Sequence, residues 1–180
     1  MLPLWVLVIA LLFLLAIGAG GLSTAPWVPT RRGEREALLK EITVTPGQTV
    51  YDLGCGNGVV LFLLARRQPA AQYIGYELAL LPLAIGWVQK ILGGRAYQNV
   101  HLRFGDFFGQ SLATADIIFA FLLDTTGPRL AAKFYGGLKP EAIVVIEGWP
   151  IPGLTPEKKI TAPRSLPLYV YRGEQFSVKK

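Results

Sequence analysis

The chain has 180 residues, enough for one domain with a core of its own. Its single cysteine, Cys55, excludes an internal disulfide and fits a reducing compartment. Charged types make up only 17% of the residues against 52% hydrophobic, a balance that points to a membrane segment. The net charge is +6, yet no Lys/Arg cluster interleaved with aromatics occurs, so nucleic acid is not expected as a partner.

The apolar excess has a clear location. No Asp, Glu, Lys, Arg or His precedes Arg31. Leu2 to Ile17 is almost wholly apolar, and small residues extend the stretch to Leu22. About 20 apolar residues cross a bilayer core. Residues 1–22 are therefore expected to be a transmembrane anchor, 23–30 a linker, and 31–180 the folded domain. A cleaved signal peptide is the competing reading, favoured by the small residues between Ala16 and Ala25. Against it stand the length of the apolar run and the lack of a basic residue before it. Arg31, Arg32 and Arg35 follow the span and would hold the domain on the cytoplasmic or matrix side as a single-pass protein. The whole net charge lies outside the span and suits a domain close to anionic headgroups.

Beyond the linker, residues 31–42 carry apolar side chains at helical spacing among charges, which predicts a helix with one buried face. Thr45-Pro46-Gly47 is a turn. A strand is expected at 49–53, then a glycine loop, then a helix over 58–67 ended by Gln68-Pro69. A second strand follows at 72–77 and a helical apolar run at 80–92, stopped by Gly93-Gly94. Strand three is expected at 100–105. Asp116 then precedes the continuous apolar run 117–123, typical of a strand buried on both faces. A helix over 128–138 has Pro in its first turn, a fifth strand covers 142–147, and 158–161 with 168–172 can pair as a final antiparallel hairpin. Strands alternating with helices predict an α/β, doubly wound, mostly parallel sheet.

The chemistry sits after the first strand, in Tyr51 to Gly58, YDLGCGNG. Glycines there let backbone approach a ligand, and the following helix offers free N–H groups. Glu77 ends the next strand, where such folds place a ribose-binding carboxylate. A nicotinamide or flavin fingerprint needs G-x-G-x-x-G or A, and Val59 breaks it. The string D-L-G-C-G-N-G instead resembles motif I of the class I S-adenosylmethionine (SAM) methyltransferases. IGYE is similar to their second motif, and Gly105-Asp106-Phe107-Phe108 to their third. That resemblance implies a Rossmann-like sheet and SAM as cofactor. It implies Asp52 and the backbone of Gly54, Cys55 and Gly56 at the methionine end, Glu77 at the ribose, Asp106 at the adenine amino group and Phe107 beside the ring. Cys55 reads as a small loop residue rather than a nucleophile, because no partner histidine is evident. No spacing suggests a metal site.

Ala25-Pro26-Trp27-Val28-Pro29-Thr30 narrows the resemblance. It looks like the pre-motif of a small group of protein lysine methyltransferases, which includes a broad-specificity archaeal enzyme and membrane-anchored mitochondrial enzymes. Arg31 replaces the second proline of that pre-motif, and Asn57 stands where an acid is common. Residues 121–124 read FLLD, unlike the N/D-P-P-Y/F of enzymes that methylate planar amide or amino nitrogens. The resemblance implies a lysine of a membrane or membrane-associated protein as acceptor. Trp27, Phe121 and Trp149 are expected to wall an acceptor channel, and Glu147 to face the acceptor. A lipid or small apolar metabolite as acceptor, and a tethered module that binds SAM without catalysis, are the two other readings.

Overall fold

The computed structural model describes residues 3–7, 30–163 and 165–177. Four helices, α1 (Arg32–Glu41), α2 (Val59–Arg67), α3 (Leu80–Gly93) and α4 (Gly127–Phe134), pack on a seven-stranded sheet. The strands are β1 (Thr49–Leu53), β2 (Gln72–Glu77), β3 (Val100–Phe104), β4 (Ile117–Phe121), β5 (Ile143–Glu147), β6 (Lys158–Ile160) and β7 (Leu168–Arg172). Their order is β3-β2-β1-β4-β5-β7-β6. Pairings among β1 to β5 are parallel, and β7 runs antiparallel to both β5 and β6. The expected hairpin thus forms, with β7 inserted between β5 and β6. The fold is the expected α/β, doubly wound, mostly parallel sheet, made mixed by β7.

Side-chain alternation divides the core between the two faces of the sheet. Val50, Ile117, Phe119, Val145 and Val170 join Leu38, Leu61, Leu64 and Leu83 of α1, α2 and α3 on one face. Tyr51, Ile118, Val144 and Tyr171 join Leu130 and Phe134 of α4 and Phe176 on the other. The strand order reverses between β1 and β4, so a crevice opens outside their carboxyl ends.

Several boundaries differ from the sequence reading, for local reasons. β4 ends at Phe121 rather than residue 123 because its partner β5 ends at Glu147, directly opposite. Leu122 and Leu123 have no ladder to join and turn into the crevice. α4 stops at Phe134, four residues early. Gly136 adopts φ +67° and its N–H donates to the Phe176 carbonyl at 2.9 Å, so C-terminal packing draws the chain away from the helix. Strand three ends at Phe104, one residue short.

Among the described residues no helix is long and apolar enough to cross a membrane. The expected anchor at 1–22 lies outside the described residues except for 3–7, as does the linker before Thr30.

Candidate active site

A cavity of about 430 Å³ occupies the crevice, within the range of small-molecule sites. Its walls come from the carboxyl ends of β1, β2 and β4, the turn after β3, and the start of α4. Asp52, Gly54, Cys55, Gly56, Glu77, Asp106, Phe107 and Phe121 all line it. Residues expected on separate grounds at four strand ends therefore meet in one place.

The glycine loop is built for close approach. Gly54 has φ +83°, and a Cβ there would stand 2.9 Å from Leu122 Cδ2. Gly56 and Gly58 also take positive φ, 54° and 75°. The Gly54 and Cys55 N–H groups both donate to the Tyr76 carbonyl, at 2.9 and 3.0 Å, which pins the loop to β2. α2 then starts at Val59, and Val59 and Val60 line the cavity.

Glu77 holds the loop from the other side. Its Oε2 accepts from Gly56 N at 2.8 Å, and its Oε1 accepts from Leu78 N and Ala79 N, both at 2.8 Å. Three backbone amides fix the orientation of this carboxylate and align it with the cavity. Asp52 is 2% exposed. Burial, then the charges of Glu77 and Glu147, push its carboxyl well above the usual range. Cys55 is buried, and its thiol is likewise pushed up, first by burial and then by Asp52 and Glu77. Such a thiol stays protonated, in keeping with its reading as a small loop residue.

Asp106 accepts from Phe108 N at 2.9 Å and stands 3.5 Å from Arg129 Nη2. The Arg129 guanidinium lies over the Phe108 ring, 3.6 Å from its centroid. Phe107 lies 7% exposed beneath, its ring 4.3 Å from that of Phe108.

Glu147 is placed differently from the expectation. It is 1% exposed and does not line the cavity. It ends β5 on the same sheet face as Asp52 and Phe121, beneath the start of α1. Burial, then the negative charge of Glu34, raises its pKa to about 7, against weaker lowering by the Thr30 side chain and Arg31. Thr30 itself lines the cavity, so Glu147 lies behind that wall. Glu34 is fully buried on α1 and accepts from Leu166 N at 2.9 Å. One oxygen of each acid, Glu34 Oε2 and Glu147 Oε2, has no hydrogen-bond partner. Trp149 is 48% exposed in a shallow depression beside the cavity and does not wall it. Trp27 lies outside the described residues. Among the described residues no cluster of His, Cys, Asp and Glu could hold a metal ion.

Sequence reasoning missed Arg129, Tyr76 and Glu34. Arg129 reaches the site only through the packing of α4, and nothing near it in sequence marks it. Glu34 left a trace, because it stands four residues before Leu38 and eight before Ile42, on the buried stripe of α1.

Residues 52–158 match the family described as ANTKMT methyltransferase domain. The chain belongs to that family. It is a SAM-dependent methyltransferase, and the glycine-lined cavity with acidic side chains at the ends of β1 and β2 and after β3 fits that cofactor. The chain is similar to the protein-lysine N-methyltransferase of Saccharolobus islandicus (strain REY15A), 29% identical over 138 residues, covering 75% of this chain and 83% of that protein. In fold it is similar to an RNA methyltransferase from Salinibacter ruber in complex with S-adenosyl-L-homocysteine. That match has TM-score 0.74, 23% identity, and covers 81% of this chain and 93% of the other. It is also similar to PKMT2 from Rickettsia typhi in complex with AdoHcy, with TM-score 0.52, 20% identity, and coverage of 71% and 28%.

Proposed function

We propose that this methyltransferase acts on lysine side chains of a membrane or membrane-associated protein, held there by residues 1–22 with its domain on the cytoplasmic or matrix side. The observation that carries the acceptor class is the character of the cavity. Phe121, Leu122 and Leu123 make an apolar wall, and Glu77 is the carboxylate beside it, while burial favours the neutral forms of Asp52 and of Glu147 behind Thr30. Among the described lining residues Arg129 is the one basic side chain, and it lies by Asp106. That field attracts an ammonium and opposes phosphates and carboxylates. Similarity to a lysine methyltransferase over 75% of the chain supports the same reading.

When bound, SAM would supply a sulfonium-activated methyl group to a neutral amine, the N–C bond forming as the S–C bond breaks, with S-adenosylhomocysteine leaving and the product ammonium free to give its proton to solvent. The chain binds, orients and dries the site. Asp52 and the backbone of Gly54, Cys55 and Gly56 would hold the methionine end, Glu77 the ribose hydroxyls, and Asp106 the adenine amino group, with Phe107 at the ring. Phe121 and the leucines after it desolvate the arriving lysine. Desolvation lowers the amine pKa from its reference near 10.4 and exposes the lone pair. Glu147 is a positioning residue: it sets the local charge behind Thr30 without touching the acceptor.

The test uses purified full-length protein, methyl-labelled SAM and membranes from a strain lacking the enzyme. Label in a protein band, recovered as methyl-lysine after hydrolysis, is the expected result. Label in the organic extract would replace the lysine reading with a lipid or small apolar metabolite. SAM binding with no label on any fraction would replace it with a tethered binding module.

A further inference from the structure

The helix that leaves the cavity presents an apolar face to solvent. On α3, Leu80, Leu81, Ile85, Val88, Ile91 and Leu92 recur at helical spacing, with exposures from 37% at Ile85 to 82% at Leu92. Leu78 just before the helix is 42% exposed, and Phe104 at the end of β3 is 56% exposed. The helix meets the domain through a narrower stripe, Pro82, Leu83 and Gly86. A Cβ at Gly86 would stand 2.7 Å from the Asn57 carbonyl, so that stripe is packed tightly against the cofactor loop. A surface helix ordinarily turns its polar side outward. Here the outer side is the more apolar one, and a patch of this kind marks an interaction surface.

The surroundings of the patch indicate what covers it. No acidic residue occurs between Glu77 and Asp106, whereas Lys90, Arg95 and Arg103 all fall in that interval. Arg103 donates to the Tyr76 hydroxyl at 3.0 Å, and among the described residues Lys90 and Arg95 join no ion pair. An apolar helix face with Trp87 at 40% exposure and a basic flank has the composition of a helix lying in an anionic lipid interface. A second copy of the chain seated on the same face would bring two basic flanks together, which costs energy. The chain length adds a further argument. Seven residues, 23–29, separate Leu22 from Thr30, a reach of about 25 Å. With residues 1–22 inserted, Thr30 would stay within that distance of the bilayer, and Thr30 lines the same cavity as Leu78 and Ala79 at the start of α3, so even weak lipid contact by that helix would be favoured.

We propose that the outer face of α3 is a docking surface that lies in the headgroup region of an anionic bilayer and sets the cavity mouth beside it. This rests on the anchored reading above. Leu78 and Ala79 both line the cavity and lead into α3, so docking would present the opening to lysines at headgroup level.

The experiment places the full-length chain in phosphatidylcholine vesicles containing phosphatidylglycerol. Ile91→Cys carries an environment-sensitive fluorophore, and Glu174→Cys, exposed on the opposite side of the domain, is the control; the native Cys55 is buried. Shallow nitroxide lipids should quench the label at 91 about twofold or more and leave that at 174 unchanged. Lys90→Glu with Arg95→Glu should reduce that quenching and leave SAM affinity as it was. A label at 91 that remains in water while the chain resists carbonate extraction overturns docking and leaves the anchor standing. A label shielded without lipid quenching, in proportion to protein concentration, overturns it in favour of a second copy. Release by carbonate with quenching retained supports docking and removes the anchored reading instead.

Discussion

At the scale of single residues the site depends on where buried carboxylates find partners. Glu77 satisfies three backbone amides, from Gly56, Leu78 and Ala79, before any ligand arrives. Glu77→Ala therefore removes a ribose partner and also frees the glycine loop. Hydrogen bonds to a charged group contribute about 1.5–3 kcal/mol, so SAM affinity should fall at least about tenfold to a hundredfold. Calorimetry on the folded variant measures it, and an unchanged affinity would refute the assignment of Glu77. Gly54→Ala should cost about 1–2 kcal/mol of stability, because the new Cβ enters left-handed backbone and meets Leu122. A denaturant titration showing no loss would mean that the loop relaxes freely. Glu147 makes stability depend on pH. Its carboxyl titrates at about 7 in the folded protein against 4.5 ordinarily. Between those values the folded state holds a proton that the unfolded chain has released, so stability falls as pH rises through the window. The full loss is about 3 kcal/mol, complete above the folded pKa. Glu147→Gln should flatten the profile between about pH 5 and pH 8, and a profile that keeps its slope would assign the effect elsewhere. The glycine loop, Glu77 and Asp106 were legible in the sequence because each is fixed by the strand immediately before it. The burial of Glu147 beneath α1 was not legible, since it depends on a helix more than a hundred residues earlier.

At the scale of elements the expected strands and helices form in the expected order, because apolar runs bounded by Gly and Pro specify them locally. The ends that moved are those set by neighbours. β4 stops where β5 stops, and α4 stops where Gly136 meets Phe176. The apolar run over 80–92 was legible as a helix, but its period did not reveal that the outer face would be uncovered. The C-terminal turn at Gly173–Phe176 closes the face that carries α4. Phe176 is 1% exposed and meets Phe134 edge-on, with ring centroids 5.3 Å apart. Phe176→Ala should cost about 3–5 kcal/mol through the lost transfer energy and the cavity left behind. SAM affinity should persist wherever the protein remains folded, because Phe176 lies on the α4 side of the sheet and does not line the cavity. Thermal melts with and without cofactor separate the two effects, and lost affinity in the folded variant would show that the edge of the sheet reaches the site.

At the scale of the whole molecule, charge draws a boundary at Arg31 between the expected anchor with its linker and the expected domain. Buried hydrophobic residues among those described begin at Leu38, and Thr30 is the first described residue to line the cavity. Under the proposed function, chain outside that boundary has a different task from chain inside it. Residues 1–22 would raise the local concentration of acceptor, while 31–180 would bind cofactor and transfer the methyl group. Removing 1–22 should therefore leave SAM affinity and the methylation of a soluble lysine peptide unchanged. Methylation of a membrane acceptor should fall by about a hundredfold or more, the scale on which tethering raises effective concentration. Paired assays on the two acceptors read the ratio directly. An equal loss on both would place part of residues 1–22 themselves within the active site. An equal retention on both would mean that the domain reaches its acceptor without the anchor, by the α3 face or from solution.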